Sequence, residues 1–401
     1  MTSLWRHHPV YGQSLAVGTA STGYFPQNTA EYPSNTGRPT GSGFLGLYTT
    51  VGLVGNGNNS PKHSIGARMF EQYRDGVQSG DTAAFISTEH DGASGLPYTS
   101  LKKGTAYYTN LTNHVSNFVT DAGAVDHEVD ALHWIHGTSN GTTSQAVYLG
   151  YLEELQSDFD TDAKAITGQS TDIPITMSQH WANGTTISQL GPQLAALEAH
   201  RNGTGLFRLA CPRYHLEINT ASYPHLTGVG YYMLGEYHAR ALKPGFEPVA
   251  PIWIAIDGAT ITATFATTSQ LAFDTTLVAA QTNYGFDYTD DGTTPAITDV
   301  SISGTSQVVI TLASAPTGAN PKLGYGRYVA GDATNSTDGW RGNLRDSDST
   351  LSGWDVSPPN LYNWGVQFLD PIPYGNARSN ATGINPTNLV GTGAGVLRRA
   401  T

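Results

Sequence analysis

The chain is poor in cysteine, in charged side chains and in long apolar runs. Only one cysteine, Cys211, occurs in 401 residues, so no internal disulfide can form. Charged residues make up 13% of the chain, against about a quarter in ordinary soluble proteins. Together with abundant Gly, Thr, Ser and Asn, this predicts a compact, loop-rich protein with a largely uncharged surface. The apolar stretch around Cys211 favours a buried strand thiol over a reactive one.

Clusters of basic residues are also missing. The formal net charge is −12, and no part of the sequence concentrates Lys and Arg. Nucleic-acid binding requires concentrated positive charge, so the sequence argues against that class of partner. A neutral or basic polymer is the better expected partner.

Neither a secretory signal nor a membrane span is visible. Residues 1–11 include Arg6, His7 and His8 and have no apolar core. No stretch is long and apolar enough to cross a bilayer. An extracellular role is therefore expected to need a route other than ordinary secretion, such as release in a virion.

The pattern of apolar residues changes near residue 245. Before that point, short apolar runs alternate with stretches of helical periodicity, which predicts a parallel sheet covered on both faces. The predicted strands are 83–87, 129–135 and 206–211, and the predicted helices are 65–77, 109–122, 144–159, 186–200 and 230–241.

After residue 250, apolar side chains alternate with polar ones at 261–265 and 308–312, which is typical of an antiparallel sandwich. The last part is rich in Asn, Asp, Gly and Pro, and a single strand is predicted there. The predicted units are a three-layer α/β domain at 1–245, an antiparallel β-sandwich at 246–335 that binds glycan or serves assembly, and a segment at 336–401 that packs on neighbours.

Candidate catalytic side chains stand in two segments that lie far apart in the chain. Gly12-Gln13-Ser14 follows the first apolar stretch, where a glycine allows a tight strand-to-helix turn that exposes a hydroxyl. His225 stands just before an amphipathic helix, a suitable place for a general base. Taken singly, an ordinary turn and a structural or exposed histidine are the more common explanations of these segments.

Two loops supply candidate oxyanion donors. Gly137 and Asn140 follow an apolar strand, so a backbone N–H and a side-chain amide can face one point. Gly95 lies in a second glycine-rich turn that can bring another backbone N–H there. Ordinary surface turns are the alternative for both loops.

Residues 8–243 resemble the SGNH (GDSL-like) hydrolase superfamily, in particular its sialate O-acetylesterase-like branch and the versions in phage tail and spike proteins. The similar blocks are Tyr11-Gly12-Gln13-Ser14-Leu15, Ser94-Gly95 with 101–105, Trp134-Ile135-His136-Gly137-Thr138-Ser139-Asn140, and His225-Leu226-Thr227 with 230–235. The resemblance implies Ser14 as nucleophile and His225 as general base. It also implies an oxyanion hole made by the Ser14 N–H, the Gly95 N–H and the Asn140 side chain.

Two positions depart from the family pattern. The family's triad aspartate lies three residues before the histidine, where this chain has Ser222, and the glutamate of the third block is replaced by Thr138. Loss of the aspartate removes the group that orients the imidazole. A backbone carbonyl or a carboxylate from elsewhere, such as Glu217, can substitute, and a Ser–His dyad can also function. The sequence does not distinguish these alternatives.

No cofactor or metal is required by this interpretation. His127, Glu128, His133 and His136 lie close together, but their spacing matches no metal-binding helix motif. His133 and His136 are also predicted to lie on opposite faces of a strand.

The sequence favours a carbohydrate O-acetylesterase that acts on an acetylated bacterial polysaccharide through a seryl acyl-enzyme. A virion spike or tail component is expected, with other virion or self subunits as partners. Tyr284, Tyr288, Tyr325 and Tyr328 are candidate platforms for sugar rings, and strand packing explains them equally well. The alternative is a catalytically impaired protein of this fold that binds glycan or builds the virion, which the two departures favour.

Overall fold

The computed structural model describes residues 4–18, 34–35, 38–40, 43–49, 61–74, 85–180, 190–219, 225–327, 340–353 and 360–373. Its helices are α1 (Ser14–Val17), α2 (Pro61–Arg74), α3 (Ala106–Ala122), α4 (Gln145–Thr167), α5 (Gly191–Arg201) and α6 (Gly228–Arg240). Its strands are β1 (Trp5–Gly12), β2 (Ser34–Asn35), β3 (Arg38–Thr40), β4 (Gly43–Thr49), β5 (Phe85–Gly92), β6 (His127–Val129), β7 (Leu132–Ile135), β8 (Ile175–Gln179), β9 (Phe207–Pro212), β10 (Pro251–Asp257), β11 (Thr260–Phe265), β12 (Leu271–Phe273), β13 (Phe286–Thr289), β14 (Ile297–Ser303), β15 (Gln307–Leu312), β16 (Lys322–Tyr325), β17 (Leu344–Asp346) and β18 (Phe368–Pro371).

The largest sheet has the strand order β2-β4-β5-β1-β7-β8-β9. From β5 to β9 all neighbouring strands are parallel, whereas β4 runs antiparallel to β5. The predicted strand at 129–135 is divided, because β6 and β7 pair with successive parts of β1. The carboxyl ends of β5, β1 and β7 meet at one edge, which is where α/β folds collect functional groups.

Helices cover both faces of this sheet. His7 and His8 are neighbours on β1 and therefore point to opposite faces. The His7 ring stacks on Phe118 of α3 with centroids 4.8 Å apart, whereas His8 belongs to a hydrogen-bonded chain that reaches α6. In the first layer α4 packs against α3 and α5, and in the second α2 packs against α6. The predicted three-layer α/β arrangement is confirmed.

Polar side chains fix where the long helices begin. Thr105, Ser144 and Thr227 each accept a hydrogen bond from a backbone N–H in the first turn of α3, α4 and α6, which satisfies a donor that has no partner within the helix. α4 continues beyond its predicted end at 159 and stops at Gly168, which has a left-handed conformation (φ 77°).

Residues after 250 form antiparallel sheets with the orders β10-β11-β15-β14, β13-β16-β18 and β12-β17. The alternation predicted at 261–265 and 308–312 is confirmed, since every second residue of β11 and β15 is buried. The Phe265 ring of β11 faces Phe286 of β13 and Phe368 of β18, with centroids 6.4 and 6.1 Å away. The predicted β-rich part therefore follows the α/β domain and encloses an aromatic core.

The described residues of the C-terminal segment contain two strands, where the sequence predicts one for the segment. β17 pairs with β12 and β18 with β16, so 340–353 and 360–373 join the core of the same chain. Gln179 of β8 exchanges two hydrogen bonds of 2.7 Å with the backbone of Gln367. The unit boundaries at 245 and 335, and packing of the tail on neighbours, stay predictions.

Cys211 on β9 is buried, and burial raises the pKa of its thiol to about 12, which confirms the predicted buried strand thiol. Within the described ranges, no helix combines the length and hydropathy needed to cross a bilayer.

Candidate active site

Ser14 stands at the carboxyl end of β1, on the turn into α1. Gly12 lies between Gly92 of β5 and Ile135 of β7, and a Cβ atom on Gly12 would lie 2.2 Å from the Ile135 carbonyl oxygen. Its φ of +147° is also one that L side chains rarely adopt. Three strand ends therefore meet closely because Gly12 has no side chain, and Ser14 is half-buried just beyond this point.

The Ser14 hydroxyl and the His225 ring are in hydrogen-bond contact. Nε2 of His225 lies 2.9 Å from Oγ of Ser14, although 211 positions separate the two residues in the chain. Nε2 can accept the hydroxyl proton only if His225 is neutral with its hydrogen on Nδ1. The structure thus brings the first and last predicted segments together in the geometry of a nucleophile and its base.

A short antiparallel bridge and the start of α6 place His225. Ile218 pairs with Leu226, and the Asn219 N–H donates to the His225 carbonyl over 2.9 Å. The Thr227 side chain caps α6. The backbone on both sides of His225 is held, which limits the positions its ring can take.

Only one of the two residues predicted to orient the imidazole lies among the described residues. Ser222 lies in 220–224, outside the described residues. Glu217 is exposed, its backbone carbonyl accepts the Thr227 N–H over 3.0 Å, and its carboxylate hydrogen-bonds no described residue. By register Glu217 shares a face with His225, offset by two positions. An orienting role stays a prediction for both residues.

Asn140 lies in a 3₁₀ turn directly after β7. Its Oδ1 accepts a hydrogen bond of 2.8 Å from the Tyr98 N–H, and its Nδ2 donates one of 2.9 Å to Oγ1 of Thr143. These bonds determine which way the amide faces and engage only one of the two Nδ2 hydrogens. The side chain is 8% exposed. Asn140 can therefore donate its second N–H within a partly dehydrated site.

Gly95 lies in an exposed turn after β5 and has φ +72°. A Cβ atom there would meet nothing within 4 Å, so its requirement for glycine is conformational and not steric. Two residues earlier, the Ala93 N–H donates to the Gly12 carbonyl over 3.2 Å. The turn of Gly95 is thereby attached to the turn of Ser14.

Gln13 has a buried structural contact that sequence reasoning missed. Its side chain is 2% exposed, and its Oε1 accepts the Ser139 N–H over 3.1 Å. Its own N–H donates to the Ile135 carbonyl over 3.2 Å. Gln13 therefore connects the turn of Ser14 to the turn of Asn140. No sequence signal identifies this partner, which is 126 positions away.

His133 and His136 engage different neighbours on the two sides of the sheet. His133 contacts His8 and Thr176, whereas His136 contacts Tyr148 of α4, as strand alternation predicts. Within the described ranges, no group of three or more His, Cys, Asp or Glu residues is arranged to hold a metal ion.

Three of the tyrosines proposed as platforms for sugar rings lie among the described residues, and each packs within the protein. Tyr288 and Tyr325 are 5% and 0% exposed, so the strand-packing alternative is correct for them. Tyr284 stacks on Phe273 with ring centroids 4.0 Å apart, and Tyr328 lies outside the described residues. Tyr288 and Tyr325 lie in strands, where alternation turns both side chains inward.

Comparison with known proteins yields similarity of structure but not of sequence. No protein-family model matches the chain, and no curated protein matches it. A carbohydrate acetylesterase from Xanthomonas citri has a similar structure, with a TM-score of 0.53 and 14% identity over 92% of this chain and 80% of that one. This match shows a shared fold.

Two further solved structures match with TM-scores below 0.5. A protein from Arabidopsis thaliana gives 0.42 at 14% identity over 60% of this chain and 99% of that one. A carbohydrate acetylesterase from Sinorhizobium meliloti gives 0.33 at 14% identity over 59% and 96%.

Proposed function

We propose that the protein is a serine esterase of the SGNH type that removes O-acetyl groups from a carbohydrate. The 2.9 Å contact between His225 Nε2 and Ser14 Oγ carries this proposal. The positions of Gly95 and Asn140 on turns attached to the Ser14 turn support it. The fold shared with the Xanthomonas citri carbohydrate acetylesterase agrees with it.

Acylation begins when Ser14 Oγ attacks the acetyl carbonyl and its proton passes to Nε2 of His225. The tetrahedral oxyanion accepts hydrogen bonds from the Ser14 N–H, the Gly95 N–H and Nδ2 of Asn140. Each such donor contributes about 3 kcal/mol to transition-state stabilisation in known enzymes. The intermediate collapses as the ester C–O bond breaks, and His225 passes the proton to the departing sugar oxygen, which leaves as a hydroxyl.

Deacylation repeats these steps with water. His225 Nε2 takes a proton from water, whose oxygen attacks the acetyl-Ser14 carbonyl. The same three donors hold the second oxyanion. Acetate leaves as the proton returns to Ser14 Oγ, which restores the free enzyme.

The substrate and setting form a further part of the proposal. The chain has few charged residues, and its formal net charge is −12. Both features disfavour an anionic polymer and are compatible with an acetylated polysaccharide. We place the enzyme on a virion spike or tail that meets a bacterial surface, with other virion subunits or further copies of the chain as partners. The resemblance of the four sequence blocks to those of phage tail and spike proteins supports this setting.

Acetate release tests the activity. The unmodified chain, Ser14→Ala and the control Ser301→Ala, an exposed serine on β14, are compared on an acetylated polysaccharide and on an activated acetyl ester. We expect Ser14→Ala to lower turnover by at least about 1,000-fold with unchanged thermal unfolding, and Ser301→Ala to match the unmodified chain. Equal rates in all three proteins would contradict the proposal.

Ser222→Asp tests whether the missing acid limits catalysis. If Ser222 occupies the place of the family's aspartate, the new carboxylate should raise kcat, by about 10-fold or more, because it orients the imidazole and stabilises its charged form. An unchanged kcat would mean that another group already holds His225. Binding of acetylated glycan without any acetate release would favour the alternative, an impaired protein that only binds.

A further inference from the structure

His136 follows β7 directly, and its ring connects two other segments of the chain. Its Nε2 lies 3.0 Å from the carbonyl oxygen of Leu96, and its Nδ1 lies 2.9 Å from the Tyr148 hydroxyl of α4. The ring stacks on Trp134 with centroids 4.6 Å apart and is 3% exposed. A buried ring with both nitrogens engaged is held in one orientation.

The hydrogen bonds of His136 run in one direction. The Leu96 carbonyl can only accept, so Nε2 carries the hydrogen, and Nδ1 then accepts from the Tyr148 hydroxyl. The Tyr148 oxygen in turn lies 3.3 Å from the donor Nε1 of Trp134. Each donor in this series of hydrogen bonds has one acceptor while the His136 ring is neutral.

Burial of the His136 ring favours that neutral form. Burial, and to a smaller extent the nearby Arg213, lower the pKa of His136 to about 4, although the Leu96 carbonyl acts in the opposite direction. Arg213 also donates to the His136 carbonyl over 2.8 Å. His180 and His136 both line a small cavity beside Trp134 and Tyr148.

The Leu96 carbonyl lies at one end of the turn that carries Gly95. At the other end, the Ala93 N–H is bound to the Gly12 carbonyl. Pro97 follows Leu96 and stiffens the exit from the turn, because proline fixes its own φ and restricts the residue before it. Gly95 itself is exposed and has no side chain, so these attachments determine where its N–H points.

We infer that His136 is a positioning residue of the esterase site, which holds the Leu96 carbonyl and so directs the Gly95 N–H toward the oxyanion. The inference rests on the proposed function, because Gly95 has this task only in acyl transfer. His136 touches no reacting atom. It acts through Leu96, and loss of its Nε2–H should weaken transition-state binding more than substrate binding.

The test compares His136→Gln with His136→Leu. A glutamine amide places a donor near the position of Nε2 and retains the bond to Leu96, whereas leucine fills similar space without a donor. His215→Leu is the matched control, since His215 is another histidine with buried ring nitrogens, and its ring is stacked on Trp364.

On an activated acetyl ester, we expect His136→Leu to lower kcat by about 100-fold with KM within about threefold, as for loss of one oxyanion donor. We expect His136→Gln to retain kcat within about fivefold and His215→Leu to match the unmodified chain. Hydrogen exchange of the peptide spanning 93–100 should be about tenfold faster in His136→Leu only.

The two readouts separate this inference from the proposed function. Unchanged kcat and unchanged exchange in His136→Leu would overturn it, as would equal losses in the Gln and Leu variants. Faster exchange at 93–100 with unchanged kcat would also overturn it, since the turn would then be held without benefit to catalysis. If Ser14→Ala retains full turnover, the proposed function fails and this inference falls with it, whatever the exchange shows.

Discussion

The α/β and β-rich regions bury different kinds of side chain. All 13 histidines of the chain lie at or before residue 238, and none follows it. Several of them are buried within the α/β layers, whereas the β-rich core is built on aromatic rings such as Phe265, Phe286 and Phe368. The region that carries the candidate site therefore encloses buried imidazoles, whereas the other region is built on buried apolar rings.

A chain of hydrogen bonds shows how the α/β region accommodates its histidines. Asp130 contacts His8 at 3.2 Å, and His8 lies 3.3 Å from His133. Thr176 then joins His133 to His238, at 2.8 and 2.7 Å. In a low-dielectric interior such a network stabilises the fold while its members are paired, and an added charge is costly there.

Acidification should therefore weaken the α/β region first, which is the largest effect we predict. Burial lowers the pKa values of His7, His133, His136 and His238. Their unfolded forms titrate near pH 6.5, so stability is complete above that pH and is lost as the pH falls below it. We expect the free energy of unfolding to fall by roughly 5 kcal/mol between pH 7 and pH 5.

Two buried carboxyl groups of the β-rich region oppose this trend, whereas Asp274 and Asp348, whose pKa values are lowered, act with it. Burial raises the pKa of Asp287 on β13 to about 6, against the influence of Arg327, and raises that of Asp346 on β17. These groups bind a proton more readily when folded, so acid favours their folded state. Hydrogen exchange at pH 5 should show lost protection in β1 and β7 with β13 still protected; uniform protection at both pH values would contradict the comparison.

Glycine substitutions should lower the free energy of unfolding by different amounts in the two regions. Gly12→Ala places a Cβ against the Ile135 carbonyl at a φ of +147°, and we expect a loss of about 4 kcal/mol or failure to fold. Gly304→Ala, in the hairpin turn between β14 and β15, meets open space at φ +63°, with an expected cost of about 1 kcal/mol. Urea unfolding measures both losses of stability. Comparable losses in the two variants would contradict the expected difference between the two positions.

A smaller effect is expected from His215→Leu. Both ring nitrogens of His215 are buried and lack a hydrogen-bond partner among the described residues, and burial lowers the pKa of the ring to about 3. Removing unpaired polar atoms should raise stability by up to about 1 kcal/mol at pH 7 and reduce its pH dependence. A loss greater than about 1 kcal/mol would show that the imidazole makes a necessary contact.

Local patterns predicted much of the fold. Helical periodicity located α3, α4 and α6, and alternation located β11 and β15. Apolar content alone predicted the strand at 83–87 too short, because β5 continues through polar residues. Glu89 is buried there, with its carboxylate 3.4 Å from Nε2 of His114 on α3, a pairing between distant segments that no local pattern reveals.

Local sequence patterns likewise predicted some parts of the candidate site and not others. Its proposed reactive groups, Ser14 and His225, stand in short motifs with distinct surroundings, and sequence reasoning selected them. The contacts that hold the site, from Gln13 to Ser139 and from His136 to Leu96, join segments far apart. Such partners follow from the strand order, which sequence periodicity does not determine.

Labelling with a fluorophosphonate, which reacts with activated serine hydroxyls, tests whether Ser14 is the nucleophile. Peptide mass spectrometry of the labelled protein should show one adduct, on the peptide that contains Ser14, and His225→Ala should abolish it because the base is lost. No adduct, or an adduct on another serine, would contradict the assignment of Ser14 and His225 as nucleophile and base.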